Sequence, residues 1–165
     1  MILIRDTREQ SKLLFPSEIE VIDKKLDFGD YGCELSDGHF VPIVHERKSI
    51  NDIFGTLGQG YDRFKREIIR CQEAKFRMIL LIEGTLTKVG KGIKHSARNP
   101  DSLLDQIFTL FVRYKIIPVF AKDPTEASRW ITLFYSLCYR DWETDRKSTR
   151  LNSSHSAKSR MPSSA

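Results

Sequence analysis

The chain has 165 residues, 40% of them hydrophobic and 30% charged, the balance of one soluble globular domain large enough to bury a core. No apolar run approaches the ~20 residues of a membrane-spanning helix, and Met1–Asp6 lacks the basic opening of a secretion signal. The net charge of +5 suggests nucleic acid less than its size implies: Arg146, Lys147, Arg150, Lys158 and Arg160, against Asp145 alone, place nearly all the excess at the end of the chain.

In chain order, Met1–Arg5 reads as a first strand, followed by Asp6-Thr7-Arg8-Glu9. Ile19–Leu26 alternates weakly and reads as a second strand. Phe28-Gly29-Asp30 is a turn into a third strand, Tyr31–Leu35. Ser36-Asp37-Gly38-His39 is an Asp-Gly hairpin turn. It leads into a fourth strand, Phe40–Lys48, so that Asp30 and Glu46 meet at the open end of one hairpin. Ser49 caps a helix from Ile50 to about Leu57, and Gly58-Gln59-Gly60 breaks it. Tyr61–Ala74 has helical spacing at Phe64, Ile68 and Cys71. Phe76–Glu83, with Met78-Ile79-Leu80-Leu81-Ile82, is a nearly continuous apolar run, the mark of a buried central strand. Thr85–Asn99 reads as a polar loop with Lys88, Lys91, Lys94, His95 and Arg98. Pro100–Tyr114 is a helix, Ile116–Ala121 a strand and Pro124–Tyr139 a last helix. This order predicts an α/β fold with a mixed central sheet flanked by helices. It suits a restriction-endonuclease-like core and, equally, other α/β folds.

Cys33, Cys71 and Cys138 are odd in number and lack C-x-x-C spacing. They read as reduced thiols of an intracellular protein, cytoplasmic if microbial or from a phage and nuclear if eukaryotic. From Asp145 to His155 the residues match the translation of a common short-read sequencing adapter, and Ser159–Ala165 match its other half. Residues 1–140 are therefore expected to form the domain, and 145–165 an artefactual or disordered tail that says nothing about function.

The chemistry concentrates around the hairpin. On a strand, residues two apart share a face, so Val44, Glu46 and Lys48 point one way and His45 and Arg47 the other. Asp30 and Glu46 are then placed to share one Mg²⁺ or Mn²⁺, hard ions that take carboxylate oxygens and keep several waters. Such an ion acidifies a bound water, and Lys48 would orient that water or balance developing negative charge. An isolated Glu-x-Lys pair is more often a surface ion pair; the preceding Gly-Asp and the hairpin between them favour a site.

Gly29-Asp30-Tyr31 followed by Glu46-Arg47-Lys48-Ser49-Ile50-Asn51-Asp52 resembles the G-D-x(n)-E-R-K-x-x-x-D signature of the XPF/Mus-type structure-specific DNA endonucleases. Asp6-Thr7-Arg8-Glu9, Arg63-Phe64 with Glu67, Leu81-Ile82-Glu83-Gly84 and Thr125-Glu126-Ala127 resemble further family segments, and the resemblance covers about residues 1–139. It implies a restriction-endonuclease-like fold and Mg²⁺-dependent cutting of branched, flapped or forked DNA near a junction. It implies Asp30, Glu46 and Asp52 as metal ligands, with the Arg47 carbonyl a third oxygen beside the first two. Lys48 would be the catalytic cation and Arg8 a phosphate contact.

Several bland readings stay open. Asp52 would equally favour a helix N-terminus three residues after Ser49. Arg47 would form a structural ion pair as readily as a DNA contact. Asp6 would support the site or hold Arg8, and Arg63, a candidate substrate contact in the family-like helix, would equally form a surface pair with Glu67. Lys91 and Lys94 lie in a loop that is either solvated or a phosphate clamp. His45 stands where the family usually has an apolar residue, and no metal role is expected for it. The resemblance also implies a homo- or heterodimer and a C-terminal helix-hairpin-helix domain, absent from these residues. Two other functions compete: a non-catalytic DNA-binding partner subunit, and a restriction- or recombination-type nuclease of the same fold.

Overall fold

The computed structural model describes residues 1–91 and 99–158, with side chains up to Lys147. Six strands form one sheet: β1 (Ile2–Arg5), β2 (Val21–Asp23), β3 (Tyr31–Glu34), β4 (Ile43–Ser49), β5 (Arg77–Glu83) and β6 (Ile117–Ala121), ordered β2-β1-β3-β4-β5-β6. β3 runs antiparallel to both neighbours, and the other pairings are parallel. The carboxyl ends of β1, β4, β5 and β6 therefore lie at one edge of the sheet, together with the start of β3. In open α/β sheets that edge is where ligands bind.

Helices cover both faces. α1 (Ile50–Thr56), α2 (Tyr61–Glu73), α3 (Leu86–Gly90) and α4 (Pro100–Tyr114) pack on one face, where Val44, Met78, Leu80 and Ile82 meet Ile53, Phe64, Ile68, Val89, Leu103 and Ile107. α5 (Pro124–Lys158) covers the other, where Leu3, Tyr31, Cys33 and Leu81 meet Ala127, Ile131 and Tyr135. β5 is buried on both faces, as its unbroken apolar run predicts. The expected mixed sheet with flanking helices is the fold observed.

Local signals explain the helix ends. The Ser49 hydroxyl accepts the Asp52 N–H at the start of α1. The Asn99 side chain accepts the Asp101 N–H at the start of α4, Pro100 fills the first turn, and Lys115 ends the helix in the left-handed conformation.

Four elements differ from expectation. The second strand shrinks to three residues because its one partner, β1, ends at Arg5. The fourth begins at Ile43, not Phe40, because Pro42 has no N–H to give the ladder. The segment expected as a polar loop opens with α3, where the Thr85 hydroxyl accepts the Lys88 N–H and Val89 is buried. The last helix runs past Tyr139 to Lys158, a stretch with no glycine or proline to stop it. Its core contacts end at Trp142; beyond that, Arg146 stacks on Trp142 and Lys147 pairs with Glu143, both within the helix.

The register of the central hairpin departs from a plain two-residue-turn ladder. Near the turn Glu34 pairs with Phe40, which by simple extrapolation would set Asp30 against Val44. Instead Tyr31 pairs with His45. The two extra residues are Val41 and Pro42, whose neighbourhood carries irregular bonds from Val41 N–H to the Cys33 carbonyl and from Ile43 N–H to the Val41 carbonyl. An even shift keeps every side chain on its face while sliding Glu46 beside Asp30.

Candidate active site

The face alternation along β4 is as the period of two requires. Val44 joins the core beneath α1 and α2, and Glu46 and Lys48 follow it on that face. His45 points under α5, where its ring packs edge-on against Phe134 and Tyr135. Its Nδ1 lies 3.1 Å from the Tyr135 hydroxyl, and that hydroxyl donates to the Ile43 carbonyl at 2.8 Å. The tyrosine proton being so engaged, the His45 Nδ1–H is the donor, which leaves Nε2 as the bare nitrogen. That atom is buried without a partner, and an unmet acceptor costs less than an unmet N–H would. Burial pushes the His45 pKa down to about 3, so the ring is neutral. The expectation of no metal role for His45 agrees with this position.

Gly29 shapes the entry to Asp30. Its φ of +68° lies in the left-handed region, and a Cβ there would stand 3.0 Å from both the His45 carbonyl and the Val44 Cβ. The Asp30 N–H donates to the His45 carbonyl at 2.8 Å, and the Arg47 N–H donates to Asp30 Oδ2 at 2.7 Å. The carboxylate is thus anchored through one oxygen. Glu46 is only 5% exposed, and its Oε1 pairs with Lys48 Nζ. Burial first, and the Glu46 charge second, raise the Asp30 pKa to about 7. Burial likewise raises Glu46, against the opposing pull of Lys48. Lys48 is held charged, the Glu46 carboxylate outweighing its own partial burial. When both are ionised, a partly buried and a buried carboxylate outnumber one ammonium, and the upward shift of both carboxyls marks a site that holds this charge poorly without a counterion.

That arrangement fits a divalent cation: hard oxygen donors, adjacent, desolvated and short of one positive charge. Among the described residues no group of three or more His, Cys, Asp or Glu side chains is placed to hold a metal. The protein's share of such a site is two carboxylates, in keeping with Mg²⁺, which retains several waters.

The other expected site residues are distributed differently. Arg47 reaches the site through its backbone, whose N–H donates to Asp30. Its guanidinium lies on the opposite face, bonded to Glu83 at 2.6 Å, to the Ser11 carbonyl, and near Glu9 at 3.6 Å. It ties the ends of β4 and β5 to the loop after β1. Asp52 is exposed and accepts the Ser49 hydroxyl at 2.7 Å, while its N–H donates back to Ser49. The structure does not join it to Asp30 and Glu46. Asp6 is 1% exposed and accepts from the Arg8 guanidinium and from the backbone N–H groups of Arg8 and Leu26. Its role is to hold Arg8, whose side chain stays 64% exposed beside the carboxylates. Arg63 is exposed on α2. Lys91 is exposed at the end of α3, and Lys94 lies outside the described residues, as do His95 and Arg98.

Sequence reasoning passed over Glu9, Arg66, Arg70 and Tyr135. For the arginines a signal existed: Arg63, Arg66 and Arg70 recur at helical spacing and fall on one stripe of α2. For Tyr135 there was none, because its partnership with His45 spans 90 residues.

The ERCC4 domain family model matches residues 5–134. Among solved structures, XPF from Aeropyrum pernix superposes with a TM-score of 0.67 at 24% identity, covering 89% of this chain and 69% of that one. XPF from Aeropyrum pernix in complex with DNA superposes with a TM-score of 0.65 at 25% identity, covering 84% of this chain and 65% of that one. The chain spans about two thirds of the length of these solved relatives. No curated protein matches it.

Proposed function

This chain belongs to the ERCC4 domain family, and we propose that within it the protein is a divalent-metal-dependent endonuclease hydrolysing phosphodiester bonds in branched, flapped or forked DNA near the junction. The observation that carries the proposal is the juxtaposition of Asp30, Glu46 and Lys48 on one face of one hairpin, Glu46 buried and the other two partly so, with two carboxyl groups to one ammonium. The solved relative in complex with DNA supports the substrate class.

Bound Mg²⁺ or Mn²⁺ supplies a Lewis acid and an acidified water. Asp30 and Glu46 would hold the ion, and the Arg47 N–H keeps Asp30 Oδ2 fixed. Lys48, already charged and hydrogen-bonded to Glu46, places its ammonium where it stabilises negative charge on the phosphate oxygens. Burial of the pair excludes bulk water and so strengthens each of these interactions. Arg8, fixed by Asp6 yet largely exposed, offers its guanidinium to a neighbouring phosphate. Asp52 acts on the local helix start before it acts on the ion. Homo- or heterodimer formation and additional duplex-binding segments belong to the same proposal.

The test is cleavage of labelled flap, fork and nicked duplexes with Mg²⁺ or Mn²⁺. Glu46→Gln should reduce the rate at least ~100-fold. If the parent protein leaves every substrate intact, the proposal fails. Binding without cutting would then indicate a non-catalytic partner subunit, and cutting of linear duplex at a fixed sequence would indicate a restriction-type nuclease.

A further inference from the structure

One strongly cationic surface lies outside the chemistry just described. A cleft of about 400 Å³ separates the Arg8 turn from the outer face of α2, lined by Arg8, Asp27, Arg63, Arg66, Glu67 and Arg70. Arg63, Arg66 and Arg70 are exposed, and among the described residues their side chains make no ion pair and no hydrogen bond. Phe64, Ile68 and Cys71, on the opposite side of α2, are buried in the core. The helix is therefore pinned, and its arginine stripe is presented to solvent on a rigid support. Glu67 lies at the inner edge of the stripe, where its charge acts on Glu46, Lys48 and Arg8, so cleft and carboxylate pair are contiguous.

We propose that this stripe is a backbone-phosphate track, in which Arg63, Arg66 and Arg70 hold successive phosphates of the strand that Arg8 delivers to Asp30 and Glu46. The inference rests on the endonuclease reading and adds to it the direction from which DNA enters: along α2, not across the α3 end of the sheet. Three arguments carry it. At 1.5 Å per residue, Arg63 and Arg70 lie about 10 Å apart along the helix axis, room for about three phosphates of one strand at an axial spacing of ~3.4 Å. Guanidinium forks match phosphate oxygens, and three of them stand without partners among the described residues. Glu67 and Asp27 bound the track with negative charge, which keeps phosphates on the arginine line. The track touches no base edge, so it is indifferent to sequence.

The test uses the whole chain carrying Glu46→Gln, in EDTA, with fluorescence anisotropy on duplex and single-stranded DNA of two unrelated sequences across a salt titration. Adding Arg63→Ala, Arg66→Ala and Arg70→Ala should lower the log–log salt slope by about 3 on duplex and about 2 on single strand, equally for both sequences. The corresponding Lys triple should keep most of the slope. All three side chains are exposed, so melting temperatures should match the parent's. An unchanged slope in the Ala triple, or equal loss in the Lys triple, overturns the track. Cleavage is read separately with Glu46 intact. A parent that cuts while its salt slope ignores the arginines sinks the track alone; one that binds through them without cutting sinks the nuclease reading alone.

Discussion

Replacing Asp30 by Asn should stabilise the metal-free protein increasingly as pH rises from about 4 to about 7, and fully above that. Asp30 is pushed from 3.8 to about 7, first by burial and then by Glu46. A group whose folded pKa exceeds its unfolded value binds its proton more tightly when folded. Its contribution to stability is complete below pH 3.8 and is lost as pH rises through about 7. At ~1.4 kcal/mol per unit, a shift of about three units corresponds to about 4 kcal/mol. Water entering the cleft screens the charge, and about half survives as a working figure, or ~2 kcal/mol. Asn keeps an oxygen to accept the Arg47 N–H while removing the charge, so the gain at pH 8 should be ~4–8 °C in Tm. At pH 4 it should nearly vanish. Thermal melts of parent and variant in EDTA at the two pH values measure this directly. Adding Mg²⁺ gives a second readout: at a hundredfold excess over Kd it should stabilise the parent by ~2.7 kcal/mol and the variant by much less. A variant no more stable than the parent at pH 8, or equally stabilised at pH 4 and pH 8, would refute the reasoning.

His45 titrates in the opposite sense. Its folded pKa of about 3 lies below the ordinary 6.5, so its contribution is present above pH 6.5 and lost as pH falls. Relative to His45→Leu, the parent should lose ~2–3 kcal/mol between pH 6.5 and 4.5, read as a difference in urea midpoints; parallel curves would exclude a buried neutral imidazole. Gly29→Ala forces a Cβ into the left-handed region against the His45 carbonyl. It should destabilise by ~1–3 kcal/mol and shrink the Mg²⁺-induced rise in Tm, because Asp30 is displaced; an unchanged rise would show that the turn does not position the carboxylate. Asp52→Ala removes a first-turn carboxylate bonded to the Ser49 hydroxyl while leaving the Ser49 cap in place, with an expected loss of ~0.3–1 kcal/mol. Cleavage should fall less than in Glu46→Gln, and an equal fall would restore Asp52 as a ligand.

Much of the site was legible before folding because its geometry is local. The period of two along β4 put Glu46 and Lys48 on one face and His45 and Arg47 on the other, and the side chains lie so. Ser49 declared the start of α1, and the unbroken apolar run declared β5 central. The misreadings also had local causes. Val89 was one apolar residue in a polar stretch, too little to announce α3. Arg47 faces away from Glu46 as the period of two requires, but its partners there, Glu83 and Glu9, come from segments distant in sequence.

What the chain dictates by itself is which side chains share a face and where elements start, since both follow from backbone periods and caps that act over a few residues. Tertiary structure alone decided the rest. The slip of two residues at Val41 and Pro42 set Asp30 beside Glu46, and no local rule specifies a pairing register across a bulge. The burial that raises Asp30 exists only in the folded chain, where the start of β3 meets the end of β4. The arginines of α2 became a track because the packing of Phe64 and Ile68 turned them outward beside those same carboxylates. Charge counted along the sequence pointed to the tail; charge placed by the fold lies on α2.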